Sequence, residues 1–144
     1  MNHKLKTGQV VDKISAYLGD CSQKAIASLI AVSGTALSQA RERTLEEATE
    51  HKVGKRLMGL LYVVETLVKD ATLNPQSILK VLITPCYPHE EETFISVTSA
   101  IQLETFSNEQ LMQVADAALK RFRTPYESDK RPIANGLYQQ AIAG

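Results

Sequence analysis

The sequence predicts an all-α protein: an N-terminal helix-turn-helix unit followed by a helical bundle, expected to be dimeric. Three observations carry that expectation. Apolar residues recur at spacings of three and four along most of the 144 residues. Ser or Asn precedes several of these runs, where a side-chain oxygen can take up the free amides of a helix start. The one clear loop is "TPCYPHEEE" (84–92), marked by two prolines.

In "GQVVDKISAYLGD" (8–20), Val10, Ile14, Tyr17 and Leu18 form one stripe and Gly19 closes the helix. Ser22 is the N-cap of "QKAIASLIAV" (23–32), in which Ile26, Leu29 and Ile30 share a face. Ser33 caps a third, short helix from Gly34 to about Arg43. A long helix is expected from Thr44 to Ala71, charged in its first half. Its second half carries Leu57, Leu60, Leu61, Val64, Leu67 and Val68 in a stripe that Met58, Tyr62 and Val63 widen. A helix apolar on all sides is buried on all sides, so residues 57–68 form either the centre of the bundle or a subunit interface.

Asn74 caps the next helix, with Pro75 in the first turn, where its missing N–H costs nothing. In "EEETFISVTSAIQLETF" (90–106) the β-branched residues favour a strand. Phe94, Val97, Thr98 and Ile101, however, fall at helical spacing behind an acidic start, and a helix is predicted. "SNEQLMQVADAALKRFR" (107–123) has a Ser107–Gln110 capping box, an apolar stripe through Leu111, Val114, Ala118 and Phe122, and basic residues at its C-terminal end. A linker and a weak terminal helix complete the chain. The expected division is a helix-turn-helix unit over 1–45, a helical dimerisation or partner-binding part over 46–124, and the linker with its terminal helix over 125–144.

Composition is that of an ordinary globular protein, 44% hydrophobic and 22% charged. The zero net charge argues against a surface that binds nucleic acid over its whole extent. Charge is nonetheless uneven: residues 1–56 hold nine Lys/Arg against six Asp/Glu, and the remainder holds seven against ten. The N-terminal part is thus the basic one. Cys21 and Cys86 have no framework spacing and read as free thiols in a reducing cytoplasm. The start "MNHKLKTGQVV" has no apolar signal core, and residues 57–68 are too short to span a bilayer and include Glu65. A cytoplasmic protein without a membrane segment is expected.

A DNA-reading helix-turn-helix needs a small residue where its helices cross, a tight turn, and one apolar plug from the second helix. Here Ala27 is the small residue, Ile26 and Ile30 point inward, Val32 enters the turn, and Leu37 is the plug, with Ala40 continuing its face. The outward face is then Thr35, Ser38, Gln39 and Glu42, polar groups able to hydrogen-bond base edges or phosphates.

"SQKAIASLIAVSGTALSQAR" (22–41) resembles the helix-turn-helix of the Cro and lambda-repressor-like (Xre) proteins. The matches are Gln23, Ile26-Ala27, Val32-Ser33 and Leu37-Ser38-Gln39, within about the first forty-five residues. The resemblance implies that Gln23 touches a phosphate and supports the base-reading residues, and that Ser33, Thr35, Ser38 and Gln39 face the groove. Charge and position, rather than the motif, add Arg41, Arg43, Lys52 and Lys55 as phosphate ligands. The family commonly has Gly where this chain has Ala31, and a base-reading side chain where it has Gly34.

The expected function is sequence-specific binding of double-stranded DNA by a transcriptional regulator, a repressor or an antitoxin-like protein. A homodimer would sit on a two-fold-related site, with a toxin-like or regulatory protein as a further partner. The alternative is a helical protein–protein adaptor, because two short helices with a Ser-capped turn also suit any α-bundle. The two readings separate on the outward face of residues 34–43, free in the first and packed in the second.

No catalytic constellation, cofactor or metal site is expected. Cys86 and His89 have ligand-like spacing but no second pair to complete four zinc ligands. His51 stands alone in a charged segment. Ser77-x-x-Lys80 and Lys6-Thr7-Gly8 match penicillin-binding motifs in the wrong order and without the third element, and Gly54-Lys55 lacks a glycine-rich loop.

Overall fold

The computed structural model describes residues 6–48 and 51–123; the expected linker and terminal helix over 125–144 lie outside them. Helix α1 (Thr7–Tyr17) starts against a distant part of the chain. The Thr7 amide donates to the Arg43 carbonyl at 2.9 Å and the Gly8 amide to the Arg41 carbonyl at 3.0 Å. Two of its orphan donors are thereby satisfied. Its end matches the expectation at Gly19, which takes φ +76° while the Asp20 amide reaches back to the Ser15 carbonyl.

After α2 (Gln23–Ile30) and α3 (Gly34–Ala40), the helix expected from Thr44 to Ala71 is divided in two. Thr44 and Glu47 cap each other at the start of α4 (Leu45–Ala48), with Thr44 N–H to Glu47 Oε1 at 3.0 Å. Then His51, in extended conformation (φ −124°, ψ 160°), opens α5 (Lys52–Leu67). No Pro or Gly marks this break; α4 turns back to pack on α5, and tertiary contact overrides local propensity.

Helix α6 (Pro75–Ile83) carries the expected cap, Asn74 Oδ1 accepting from the Ser77 amide at 2.8 Å. The segment 90–106 departs from the single predicted helix. Strands β1 (Tyr87–Pro88) and β2 (Phe94–Ile95) pair antiparallel, Tyr87 opposite Ile95 and Pro88 opposite Phe94. Only then does Ser96 cap α7 (Val97–Leu103), its hydroxyl accepting from the Ser99 amide. Of the β-branched residues only Ile95 lies in the hairpin strands, while Val97, Thr98 and Ile101 fall in α7; Glu90 and Glu92 take positive φ in the hairpin loop. Helix α8 (Asn108–Arg123) follows the Ser107–Gln110 box as expected, at 2.8 and 3.1 Å.

The architecture is therefore largely α, with one two-stranded hairpin among the described residues. Helix α5 is its axis: α1, α2, α3, α4, α7 and α8 all pack against it, and Leu57, Leu60, Val63 and Val64 are fully buried. Of the two outcomes for residues 57–68, the centre of the bundle is the one realised, and the chain itself covers the stripe; Tyr62 alone of the widening residues is exposed. One hydrophobic core runs from Val10 on α1 to Leu119 on α8. Among the described residues, no helix is long and apolar enough to cross a membrane.

Candidate nucleic-acid interface

The site is built on α2, the turn over 31–33, and α3. Ser22 Oγ accepts from the Ala25 amide at 3.1 Å and Ser33 Oγ from the Ala36 amide at 3.0 Å, so each helix starts where its serine stands. Ile26, Ala27 and Ile30 bury one face of α2, and Leu37 and Ala40 bury one face of α3. Leu37 is fully enclosed.

Ala31 ends α2 in the left-handed region, φ 57° and ψ 50°. The Val32 amide reaches the Ala27 carbonyl at 3.0 Å and the Ala31 amide the Ser28 carbonyl at 3.1 Å. This is the closure in which Gly is common, here formed by a residue with a Cβ at a cost of roughly 1–2 kcal/mol. Helix α3 is shorter than expected, ending at Ala40 rather than near Arg43, because the carbonyls of Arg41 and Arg43 are given to α1.

The outward face of α3 is uncovered. Gly34, Thr35, Ser38 and Gln39 are exposed, and together with Gln23 and Lys24 they surround an open concavity of about 620 Å³. A Cβ at Gly34 would meet nothing within 4 Å. Gln23 is the strut between the two helices. Its Nε2 donates to Ser38 Oγ at 2.9 Å, and its Oε1 accepts from Arg41 Nη1 at 3.0 Å. Arg41 in turn pairs with Asp12 of α1 at 3.2 Å. With both ends of the amide fixed, its orientation is determined, and the Ser38 hydroxyl keeps its own proton to donate outward.

Of the residues singled out in the sequence, the fold gathers Gln23, Thr35, Ser38, Gln39 and Arg41. Ser33 sits at the start of α3 with its hydroxyl engaged in the cap. Arg41 is half-buried and committed to Gln23 and Asp12, whereas the Arg43 side chain is exposed and has no ion pair among the described residues. Glu42 on the same rim pairs with Lys6 at 3.6 Å. Lys52 is exposed at the start of α5. Lys55 stands apart: it lines a different hollow with Met58 and Glu104, between α5, α7 and α8.

Three participants had escaped the sequence reading. Lys24 lines the concavity, and its position directly after Gln23 was the available signal. Asp12 clamps Arg41 across 29 residues, a pairing no local pattern announces. Arg56 is the third. Its guanidinium donates to the Ile30 carbonyl at 2.9 Å, the Ala31 carbonyl at 3.3 Å and the Gln102 carbonyl at 3.1 Å, and pairs with Glu104 at 2.9 Å. One side chain, 11% exposed, thus fastens the turn between α2 and α3 to the end of α7. The only hint was its place at the boundary where the charged stretch ending Lys55-Arg56 meets the apolar run from Leu57.

The Cys86–His89 segment has other contacts. The His89 ring lies 6.0 Å from the Phe106 ring and 3.8 Å from the Glu90 carboxylate. Among the described residues, no three His, Cys, Asp or Glu side chains are grouped as metal ligands. No protein-family model matches the chain, and neither a curated protein nor a solved structure does.

Proposed function

We propose that this chain is a sequence-specific DNA-binding regulator that presents α3 to the major groove of double-stranded DNA. The observation that carries the reading is the outward face of α3: exposed along its length, polar, and oriented by the Gln23 strut rather than packed against the bundle. A major groove about 12 Å wide admits one helix, and its base edges are read by side chains of this kind. Gln39 offers a donor and an acceptor to an adenine, Thr35 a methyl and a hydroxyl, and Ser38 a hydroxyl. Lys24, Arg43 and Lys52 supply charge for phosphates, and Gln23 and Arg41 hold the frame.

A seven-residue helix reads only a few base pairs, so the regulator acts as a homodimer on a two-fold-related site. A repressor or an antitoxin-like protein fits this layout, and the reading requires no cofactor and no catalysis. Fluorescence anisotropy tests it, using duplex DNA from upstream of the coding region beside a scrambled duplex, at about 50 and 200 mM salt, where phosphate-driven binding changes steeply. Preferential, salt-sensitive binding supports the proposal. Equal absence of binding to both duplexes at the lower salt rejects it.

The second reading, a protein–protein adaptor, is favoured by a different observation. Ile83 on α6 and Phe94 on the hairpin are 51% and 58% exposed. Such an adaptor would use exposed apolar side chains of this kind and not residues 57–68, which the chain buries itself.

A further inference from the structure

Between α5, α7 and α8 lies a half-enclosed cavity of about 180 Å³. Its floor is apolar: Ile101 and Leu111 are buried there, with Met58 beside them. Gly59 completes the floor. A Cβ at this position would stand 3.2 Å from Leu111 Cδ1 and 3.7 Å from Ile101 Cγ1, so the absent side chain lets Leu111 and Ile101 close tightly on α5 at the base of the hollow. The rim carries two formal charges, Lys55 and Glu104. They are not equivalent. Glu104 is neutralised by Arg56 at 2.9 Å, whereas the Lys55 side chain has no hydrogen bond or ion pair among the described residues.

We propose that this cavity binds a small monocarboxylic acid, its apolar tail on the Ile101–Leu111 floor and its carboxylate on the Lys55 ammonium. An apolar hollow whose mouth carries a cation with no ion pair among the described residues favours an acid over a neutral molecule, which gains no charge pairing there, and over a base, which the ammonium repels. The small volume selects a short chain over a drug-sized ligand.

The site also has a route to the helix-turn-helix. Glu104 caps α7 in the left-handed region, φ 61°, and Arg56 joins it to the carbonyls of Ile30 and Ala31. An acid whose carboxylate rests on Lys55 adds negative charge on the rim that Glu104 shares, and so bears on the Arg56–Glu104 pair and through it on the turn that sets α3 against α2. This regulatory consequence rests on the DNA-binding reading; the site itself does not.

The test uses the full chain, labelled with nitrogen-15 at about pH 7, and hexanoate with hexanamide as its neutral twin. Hexanoate is expected to shift the amides of Lys55, Gly59, Ile101 and Glu104 saturably. Hexanamide should bind about two- to fivefold more weakly, the worth of one ion pair at an exposed lysine. In Lys55→Met, whose site is exposed and whose folding is not at risk, the acid should lose that advantage over the amide. No saturable shift with hexanoate, or equal binding of acid and amide by the unaltered chain, overturns the site. Anisotropy with operator duplex then separates the rest. A changed DNA affinity in saturating hexanoate supports the coupling, and an unchanged one overturns the coupling alone. Absence of DNA binding with and without hexanoate overturns the DNA reading and leaves the acid site standing.

Discussion

The Gly8 amide donates to the Arg41 carbonyl at 3.0 Å, and the contact is so close that a Cβ at Gly8 would lie 3.2 Å from that oxygen. The start of α1 and the end of α3 are therefore joined backbone to backbone, and the oxygen cannot retreat without breaking the bond that holds it. Gly8→Val should cost about 1–3 kcal/mol, the range for overpacking a tight contact. Urea denaturation measures it, and an unchanged midpoint would show that α3 ends elsewhere in solution.

Ala31 gives the opposite expectation. Its left-handed conformation is strained by its Cβ, and Ala31→Gly relieves that strain while adding freedom to the unfolded chain. A net gain of about 0.5–1 kcal/mol should appear as a raised midpoint in the same titration. A loss of stability would mean that the turn is not closed in this way.

Arg56 holds three carbonyls and one carboxylate with a single planar group. Arg56→Gln should cost about 2–4 kcal/mol, since it leaves Glu104 and the carbonyls short of donors. Arg56→Lys should recover only part of this, because an ammonium cannot fork toward several acceptors. Thermal unfolding of the two variants decides the order, and a lysine variant as stable as the parent would reject the fork.

On the proposed DNA face the variants should divide by role. Gln39→Ala should mainly relax sequence preference, by about 1–3 kcal/mol at one base pair. Arg43→Ala should weaken specific and scrambled duplexes alike and lower the salt slope by about one. If Gln39→Ala alters neither affinity nor preference, Gln39 is not in the groove.

Asp70 predicts an acid-sensitive contribution. The hydroxyl and amide of Thr72 donate to Oδ1 at 2.6 and 2.9 Å, and Arg123 pairs with Oδ2; these hold its carboxyl below the usual range. A folded-state value below the unfolded one stabilises the protein above about pH 4 and is lost as pH falls through the lower folded value. Melting temperatures between about pH 2 and 7 should therefore fall less steeply at the acid end in Asp70→Asn than in the parent chain.

The helix starts at Ser22, Ser33, Asn74 and Ser107 were legible because a cap is a bond between residues three apart, and the sequence shows both partners. The burial of Leu37 was legible from its spacing to Val32. The hairpin was not, because Phe94, Val97, Thr98 and Ile101 satisfy a helical period although Phe94 belongs to a strand and the other three to α7. The break at His51 was hidden for a related reason: no residue there forbids a helix, and packing of α4 on α5 decides. Asp12 and Arg56 act across 29, 25 and 46 residues, distances at which only the fold makes neighbours. In the candidate site, the outward residues could be read from helical phase, while the network that orients them could not.

Helix α3 sets Leu37 and Ala40 inside and Gly34, Thr35, Ser38 and Gln39 outside, with Ala36 half-buried between them. The two sets answer to different selection. Replacements at the outer positions leave the core untouched, so that face can drift among descendants of this chain while the scaffold beneath stays constant. Duplicated copies could acquire divergent outer faces one substitution at a time, with Leu37 retained as the common anchor.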